Sequence, residues 1–388
     1  MSAPTQATAR PRVLHVGKFY APDYLGGIET YTQNLCRGLR DEVEFRVAVS
    51  AVGRRGGSDV VEGVPVLRMG TALKVASAPI SPQLRQVLRD PQADLLHFHL
   101  PHPAAVLAWL TAGENAQRLP VIASYHSDIV RQKLAGAALR PMHQRFLRRC
   151  AAIIVASPNY LESSAALQLH RERCRVIPYA VDVPALGSHN REPEEAVRRL
   201  YGPRMVLAIG RLVYYKGFEF LIRAFRDVPG KLVIIGEGPL RARLQRLIGE
   251  LGLTRRVFLL GRVDSVAAYY QACDVFVLPS IARSEAFGIV QIEAMACGKP
   301  VINTRLDSGV PFVSLHGVTG LTVPPANANA LARAINELLT NDERRTAFGA
   351  AARRRAEQEF SLTLMAARTL ELYREVLGMA QCKTAPPA

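Results

Sequence analysis

No apolar run in the 388-residue chain reaches the roughly 18 residues that a bilayer-spanning helix needs. The first residues, MSAPTQATARPRVLHVGKFY, lack the long apolar stretch of a secretion signal. The six cysteines (Cys36, Cys150, Cys174, Cys273, Cys297 and Cys382) form no C-x-x-C pair and show no zinc-ligand spacing. They read as buried, reduced thiols, and the protein is expected to be cytoplasmic or peripheral on the inner face of the membrane. A G-x-x-x-x-G-K-[ST] sequence is missing, which excludes P-loop phosphoryl transfer. G-x-S-x-G and zinc-peptidase motifs are missing too. Acids are in short supply, 33 against 49 Lys and Arg, for a net charge of +16. Such a balance attracts nucleic acid, anionic lipid or phosphorylated substrates without choosing among them. With one Trp in the chain and no aromatics interleaved with the bases, a nucleic-acid partner is not expected.

What is present is a regular alternation. RVLHVG (12–17), FRVAVS (45–50), VPVLRM (64–69), LLHFHL (95–100), VIASYH (121–126), AIIVAS (152–157) and RVIPYA (175–180) are short, apolar and rich in Val and Ile, as strands are. A second series follows: MVLAIG (205–210), LVIIGEG (232–238), VFLLG (257–261), VFVLPS (275–280), PVIN (300–303) and GLTVPP (320–325). Amphipathic stretches at 217–227, 240–251, 265–272 and 327–339 separate these runs. Apolar strands alternating with helices imply an α/β fold of two Rossmann-like parallel-sheet domains. The expected division is 1–183 and 184–361, near YAVDVPALG, with a last helix at about 362–380 packing back on the first domain. Ligands of open parallel sheets bind beyond the carboxyl ends of the strands. Two such domains facing across a cleft would place the informative residues there.

Several candidates sit just after strands. SEAFGIVQIEAMACGKPV (284–301) holds Glu285 in a loop and Glu293 inside a helix starting near 289. At 100° per residue, an eight-residue helical step ends about 80° off the starting face, an offset that a loop for the first acid can correct. Both carboxylates can then border one pocket and accept hydrogen bonds from sugar hydroxyls. The unpaired N–H groups around Phe287, Gly288, Ile289 and Val290 suit a phosphate. Capping of the helix explains Glu285 adequately. It does not explain Glu293, an acid among apolar neighbours that needs a partner. Arg211 and Lys216, in IGRLVYYKG, lie where a diphosphate would sit, although on spacing alone two surface cations are the better account. Gly26 and Gly27 precede a helix and allow backbone N–H groups close to an anion, or make a plain turn. His126 ends the strand VIASYH and could bind a hydroxyl, or else be a structural histidine. The three histidines of HFHLPHP (97–103) invite a metal reading, but no Asp, Glu or Cys completes a ligand set and no metal is expected.

SEAFGIVQIEAMACGKPVI resembles the E-x7-E signature of the family-4 retaining glycosyltransferases, which have the GT-B fold. The likeness extends to the early Gly-Gly loop, IGRLVYYKG, IIGEGPL, FLLGRV and GVTGLTVPP. It implies that Glu293 binds the nucleotide ribose, that Glu285 holds the donor sugar, and that Arg211 and Lys216 meet the donor diphosphate. Phe287 to Val290 would cradle phosphate and sugar through the backbone. Arg262 and Val263 would meet the base, Gly26 and Gly27 would close over the diphosphate, and His126 would lie near the transferred sugar. HFHLPHP, SYHSDIVRQK and LDSGVPFVSLHGVTGL are similar to bacterial mannosyl- and rhamnosyltransferases of surface polysaccharide synthesis, implying a GDP-mannose type of donor.

The expected activity is therefore hexosyl transfer from a nucleotide sugar to a saccharide or lipid-linked saccharide, with retention and no metal or other cofactor. A nucleotide-sugar epimerase of the same fold is the alternative. The stretch 129–161 carries Arg131, Lys133, Arg140, Arg145, Arg148 and Arg149 and no acid. It reads as a solvated helix face or as a patch for an anionic membrane.

Overall fold

The structure is a computed structural model. It describes residues 10–23, 26–75, 78–128, 133–188, 191–263 and 265–378. The chain divides into two compact units: unit 1 takes residues up to Ala156, Ser164–Ile177 and the chain from Thr363, and unit 2 takes Ser157–Ser163 and Pro178–Leu362.

Unit 1 contains β1 (Arg12–Val16), β2 (Glu44–Ser50), β3 (Gly57–Val61), β4 (Val64–Met69), β5 (Leu73–Val75), β6 (Ala78–Ile80), β7 (Leu95–Leu100), β8 (Val121–Tyr125), β9 (Ala152–Val155) and β10 (Cys174–Val176). Eight of them form one sheet in the order β10-β9-β8-β7-β1-β2-β4-β3, while β5 and β6 pair separately. Every neighbour pair in the large sheet is parallel except β3 with β4. The strand order reverses between β1 and β7, which opens a crevice at their carboxyl ends. All six residues of β7 are buried, as a central strand covered on both faces requires. Its period of two sends Leu96, Phe98 and Leu100 to one face and His97 and His99 to the other. On the first face, Phe98 meets Trp109 and Phe146 with ring centroids 6.4 and 5.0 Å apart. The helix Leu362–Val376 packs in this unit, its Tyr373 hydroxyl 2.6 Å from His97 Nδ1.

Unit 2 holds β11 (Met205–Ile209), β12 (Lys231–Ile235), β13 (Val257–Leu260), β14 (Val275–Val277), β15 (Val301–Thr304) and β16 (Gly320–Val323). They form one parallel sheet ordered β13-β12-β11-β14-β15-β16. The reversal falls between β11 and β14. The helices Phe218–Ala224, Arg241–Glu250 and Ala328–Thr340 cover one face, burying Leu221, Ile222, Leu244, Ile248, Leu331 and Ile335 against Val206, Ala208, Leu232 and Ile234. At about 1.5–3 kcal/mol per fully buried aliphatic side chain, this layer holds the sheet rigid beneath its loops.

Thirteen strands fall on the short apolar runs, while β3, β5 and β6 have no counterpart among them, and two further differences stand out. β14 stops three residues short of Ser280, because Pro279 has no N–H to continue a ladder. The helix Asp342–Glu359 has no counterpart in the apolar pattern. Its buried stripe is Phe348, Gly349, Ala352 and Ala356, so small residues replace the large apolar ones that mark a buried face. Its start is fixed by Asn341, whose side chain accepts from the Arg344 N–H at 2.8 Å.

Candidate functional site

Two loops meet at the reversal point of unit 2, one after β11 and one after β14. The Ile281 N–H donates to the Tyr215 carbonyl at 2.8 Å. Gly217 has φ +67° and lies so close to the Pro279 carbonyl that a Cβ would collide with it. This close approach brings Lys216 to Glu285. Lys216 Nζ lies 2.5 Å from Glu285 Oε2, and both side chains are 10 % exposed. The fully buried Ser280 hydroxyl donates to the same oxygen at 2.9 Å. The Thr304 hydroxyl in turn donates to the Ser280 carbonyl at 2.5 Å. Loop and sheet thus hold the carboxylate from behind.

The helix Ile289–Ala296 starts from Gly288, in the left-handed region at φ +78°. A Cβ there would lie 2.6 Å from Leu278 Cδ2, so glycine is required by both backbone and space. Gln291 anchors the helix from inside: its amide donates to the Phe287 carbonyl at 3.0 Å, and its oxygen accepts from Asn303 at 2.9 Å. The Phe287 ring is buried against Tyr179, with centroids 4.9 Å apart, so only its backbone is available to a ligand. The N–H groups of Phe287, Gly288, Ile289 and Val290 have no acceptor among the described residues. They form the positive end of the helix dipole, beside the Lys216–Glu285 pair.

Glu293 lies on the next turns of this helix. Its Oε2 accepts from the Tyr270 hydroxyl at 2.5 Å. Burial raises its pKa, against the lowering effects of that hydrogen bond and of nearby Lys216. Lys216 is therefore the charge common to both acids. Arg211, on the same loop, is exposed and makes no ion pair among the described residues. Arg262 is exposed and Val263 half-buried on the loop after β13. No hydrogen bond among the described residues ties either to the Glu285 cluster. Tyr270 and Ser280 carried no signal in the sequence that separated them from core residues.

Unit 1 has its own polar cluster at the reversal between β1 and β7. His126, at the end of β8, has Nε2 3.0 Å from His99 Nδ1, and His99 Nε2 is 2.8 Å from His15 Nδ1. His97 contacts the Ser124 hydroxyl at 2.8 Å and Tyr373 on its other side. Desolvation holds His15, His97 and His126 well below the usual histidine value and His99 at about 3, so all four are neutral. Gly26 caps the helix Gly27–Leu39 in an extended conformation, and Gly27 is exposed.

Lys18, whose charge acts on His126 and on His102, and Glu29 beside it were not singled out by sequence, whereas His102 was, within HFHLPHP. Burial lowers the pKa of Lys18, against the pull of Glu29, and raises that of Glu29, against helix-start N–H groups and Lys18. His102 is 1 % exposed, and its pKa is lowered to about 3 by burial and then by Lys18, against a polar contact with the Gly17 backbone. Titratable groups perturbed together beyond strand ends are a mark of a functional site. Lys18 directly follows the first strand run, so the rule that found Lys216 could have found it.

The arrangement in unit 2 can bind a polyanion at the helix start and Lys216 while its acids take hydroxyl donors. Comparison with known proteins bears on that chemistry. Residues 190–355 match the model of glycosyl transferases group 1, and residues 25–184 match that of glycosyltransferase family 4. The chain is 35% identical to the D-rhamnosyltransferase WbpZ of Pseudomonas aeruginosa, over 90% of this chain and 92% of that protein. It is 32% identical to O-antigen chain mannosyltransferase C of Escherichia coli, over 94% and 99%. Among solved structures, Anabaena Alr3699/HepE in complex with UDP superposes with a TM-score of 0.79 at 22% identity, over 94% of this chain and 100% of that one. The chain belongs to the family-4 glycosyltransferases and carries their GT-B fold.

Proposed function

We propose that the protein transfers a mannosyl or deoxyhexosyl group, with retention, from a GDP-mannose type of donor to a saccharide or lipid-linked saccharide of a surface polysaccharide such as O-antigen. The sugars handled by the rhamnosyl- and mannosyltransferase relatives support the donor class. The observation that carries the reading is the buried Lys216–Glu285 pair beside four unpaired backbone N–H groups. Lys216, Arg211 and the N–H groups of Phe287 to Val290 take up charge on the departing diphosphate, the role a metal plays elsewhere. Glu293 accepts from the ribose hydroxyls and Glu285 from the sugar, with Arg262 and Val263 toward the base. Gly26 and Gly27 serve the diphosphate, and His126 serves a hydroxyl of the transferred sugar. The acceptor oxygen bonds to the anomeric carbon as the bond to the phosphate oxygen breaks, and the acceptor proton passes to the leaving phosphate.

The exposed Arg140, Arg145, Arg148 and Arg149 on the helix Lys133–Arg149 give that helix a basic face for an anionic membrane carrying lipid-linked acceptor. Arg131 and the Lys133 side chain of the same expected patch lie outside the described residues. Among the described residues, no helix is long and apolar enough to cross a membrane.

A melting-temperature screen over GDP-mannose, a GDP-linked deoxyhexose and UDP-glucose tests the donor. A true donor at a hundred times its Kd stabilises by about 2.7 kcal/mol. Incubation with the best donor and a lipid-linked saccharide, followed by mass spectrometry and NMR of the new linkage, tests the transfer. A glycan extended by one hexose or deoxyhexose with the donor's anomeric configuration is expected. Stabilisation by UDP-glucose alone overturns the donor class, an inverted linkage overturns retention, and an isomerised donor without extension makes the protein an epimerase.

A further inference from the structure

Three neighbouring strands of unit 1 end at one level. The register sets Val16 of β1 against Phe98 of β7, and Leu100 of β7 against Tyr125 of β8. Lys18, His102 and His126 therefore come together just past the carboxyl ends of these strands, the side on which parallel sheets bind ligands. The Lys18 carbonyl accepts from the Ser50 N–H at 2.9 Å, so its backbone is held between the ends of β1 and β2. The helix Gly27–Leu39 packs on the same end of the sheet. Its Tyr31 ring meets His126 with centroids 5.2 Å apart, and Glu29, two residues nearer the helix start, is buried.

The charges in this group do not balance locally. Burial holds His102 and His126 neutral, and the Lys18 charge acts on both in the same direction, so neither ring supplies a counter-charge. Glu29 is the acid whose charge reaches Lys18, and its carboxylate is drawn to the N–H groups of Glu29 itself and of Gly26. No ion pair or hydrogen bond among the described residues takes up the Lys18 ammonium. Desolvation outweighs the pull of Glu29 on its pKa. The ammonium has thus given up water without gaining a close counter-ion, yet it is only half-buried and stays within reach of a ligand. A sugar hydroxyl would occupy one of its N–H donors and leave the charge. A phosphoryl oxygen offsets the charge as well.

We propose that Lys18 binds a phosphoryl oxygen of a substrate diphosphate and that Glu29 is the positioning residue beside it. The inference rests on the reading that the loop at Gly26 and Gly27 serves a diphosphate. Two substrates can bring such a group to unit 1, the nucleotide sugar and an acceptor joined to its lipid through phosphate. In the first case Lys18 shares the charge that builds on the phosphate oxygen as its bond to the anomeric carbon breaks.

The test is calorimetric titration of wild type and variants with GDP, transfer kinetics over a range of lipid-linked saccharide, and melting temperatures without ligand. Lys18→Met removes an incompletely paired charge, so the free protein is expected to melt no lower than wild type. Its affinity for GDP is expected to fall at least about tenfold, the loss of one hydrogen bond to a charged group. Unchanged GDP affinity with an acceptor KM raised about tenfold assigns the phosphoryl group to the acceptor. Both values unchanged overturns the proposal, and a Lys18→Met that melts well below wild type makes Lys18 a structural residue and overturns it too. Glu29→Gln withdraws the carboxylate that favours the charged amine, while His102 and His126 stay neutral. The alkaline loss of binding is therefore expected to begin at lower pH than in wild type, and an unmoved profile overturns the part given to Glu29. Wild type that binds neither GDP nor UDP overturns the donor reading and the proposal with it, whereas a Lys18→Met without effect leaves that reading standing.

Discussion

The Lys216–Glu285 pair allows structural and functional roles to be separated by a double-mutant cycle. At 2.5 Å, and with an effective dielectric of 20, the Coulomb attraction is about 6.6 kcal/mol. Desolvation of two groups this buried consumes much of that gain. Removing one partner leaves the other as an uncompensated charge, at a cost of about 3 kcal/mol, the low end for buried pairs, because Ser280 still bonds Glu285. Lys216→Met and Glu285→Gln should therefore each destabilise unit 2 by about 3 kcal/mol and lower its melting temperature by roughly 6–12 °C. The double variant leaves no stranded charge and should cost about as much as either single change, giving a coupling near 3 kcal/mol. Transfer must behave differently. If Lys216 stabilises the leaving diphosphate, the double variant is no less stable than either single variant but stays at least about a hundredfold down in kcat. Urea titrations of the four proteins, with product formation under saturating donor, decide the matter. Additive stability losses would refute the physical account of the pair, and recovery of kcat in the double variant would refute its catalytic role.

Three further outcomes follow from other parts of the molecule. Glu293 has its pKa raised by burial, so its contribution is full below the unfolded carboxyl range near 4.5 and is lost as pH rises through the folded value; Glu293→Gln should gain stability on wild type as pH rises above that unfolded range while losing transfer, and parallel stability curves would contradict this. His15, His97, His99, His102 and His126 all have lowered pKa values, so their neutral burial stabilises fully above the unfolded value of 6.5 and is lost as pH falls below it, by several kcal/mol between about pH 7 and 5.5; a melting temperature flat over that range for unit 1 would show that the stack opens to water. Arg145→Glu, Arg148→Glu and Arg149→Glu together should abolish most pelleting with anionic vesicles at low salt, and unchanged pelleting removes the membrane role of the helix Lys133–Arg149.

What the sequence disclosed follows the geometry of parallel sheets. Residues that act just beyond a strand are legible, because the apolar run announces the strand and the ligand side is always its carboxyl end. Lys216, Glu285, Gly288 and His126 were singled out in this way, and Lys18 was open to the same logic. The spacing argument put one acid in a loop and the other inside the helix, and Glu285 does sit in a loop while Glu293 lies within the helix Ile289–Ala296.

The partners of these residues were not legible, because they arrive through crossovers. Tyr270 reaches Glu293 across 23 residues and lies inside a helix whose pattern says only that it is buried. The alternation in HFHLPHP put His97 and His99 on one face, yet nothing local brings His15 beside them. That contact exists because β1 lies next to β7, on a line where the chain reverses its strand order. The same reversal creates the ligand crevice. The buried row His15–His99–His126 on the strands flanking it therefore ends at the carboxyl side of the sheet by topology alone, which no local spacing in the sequence could announce.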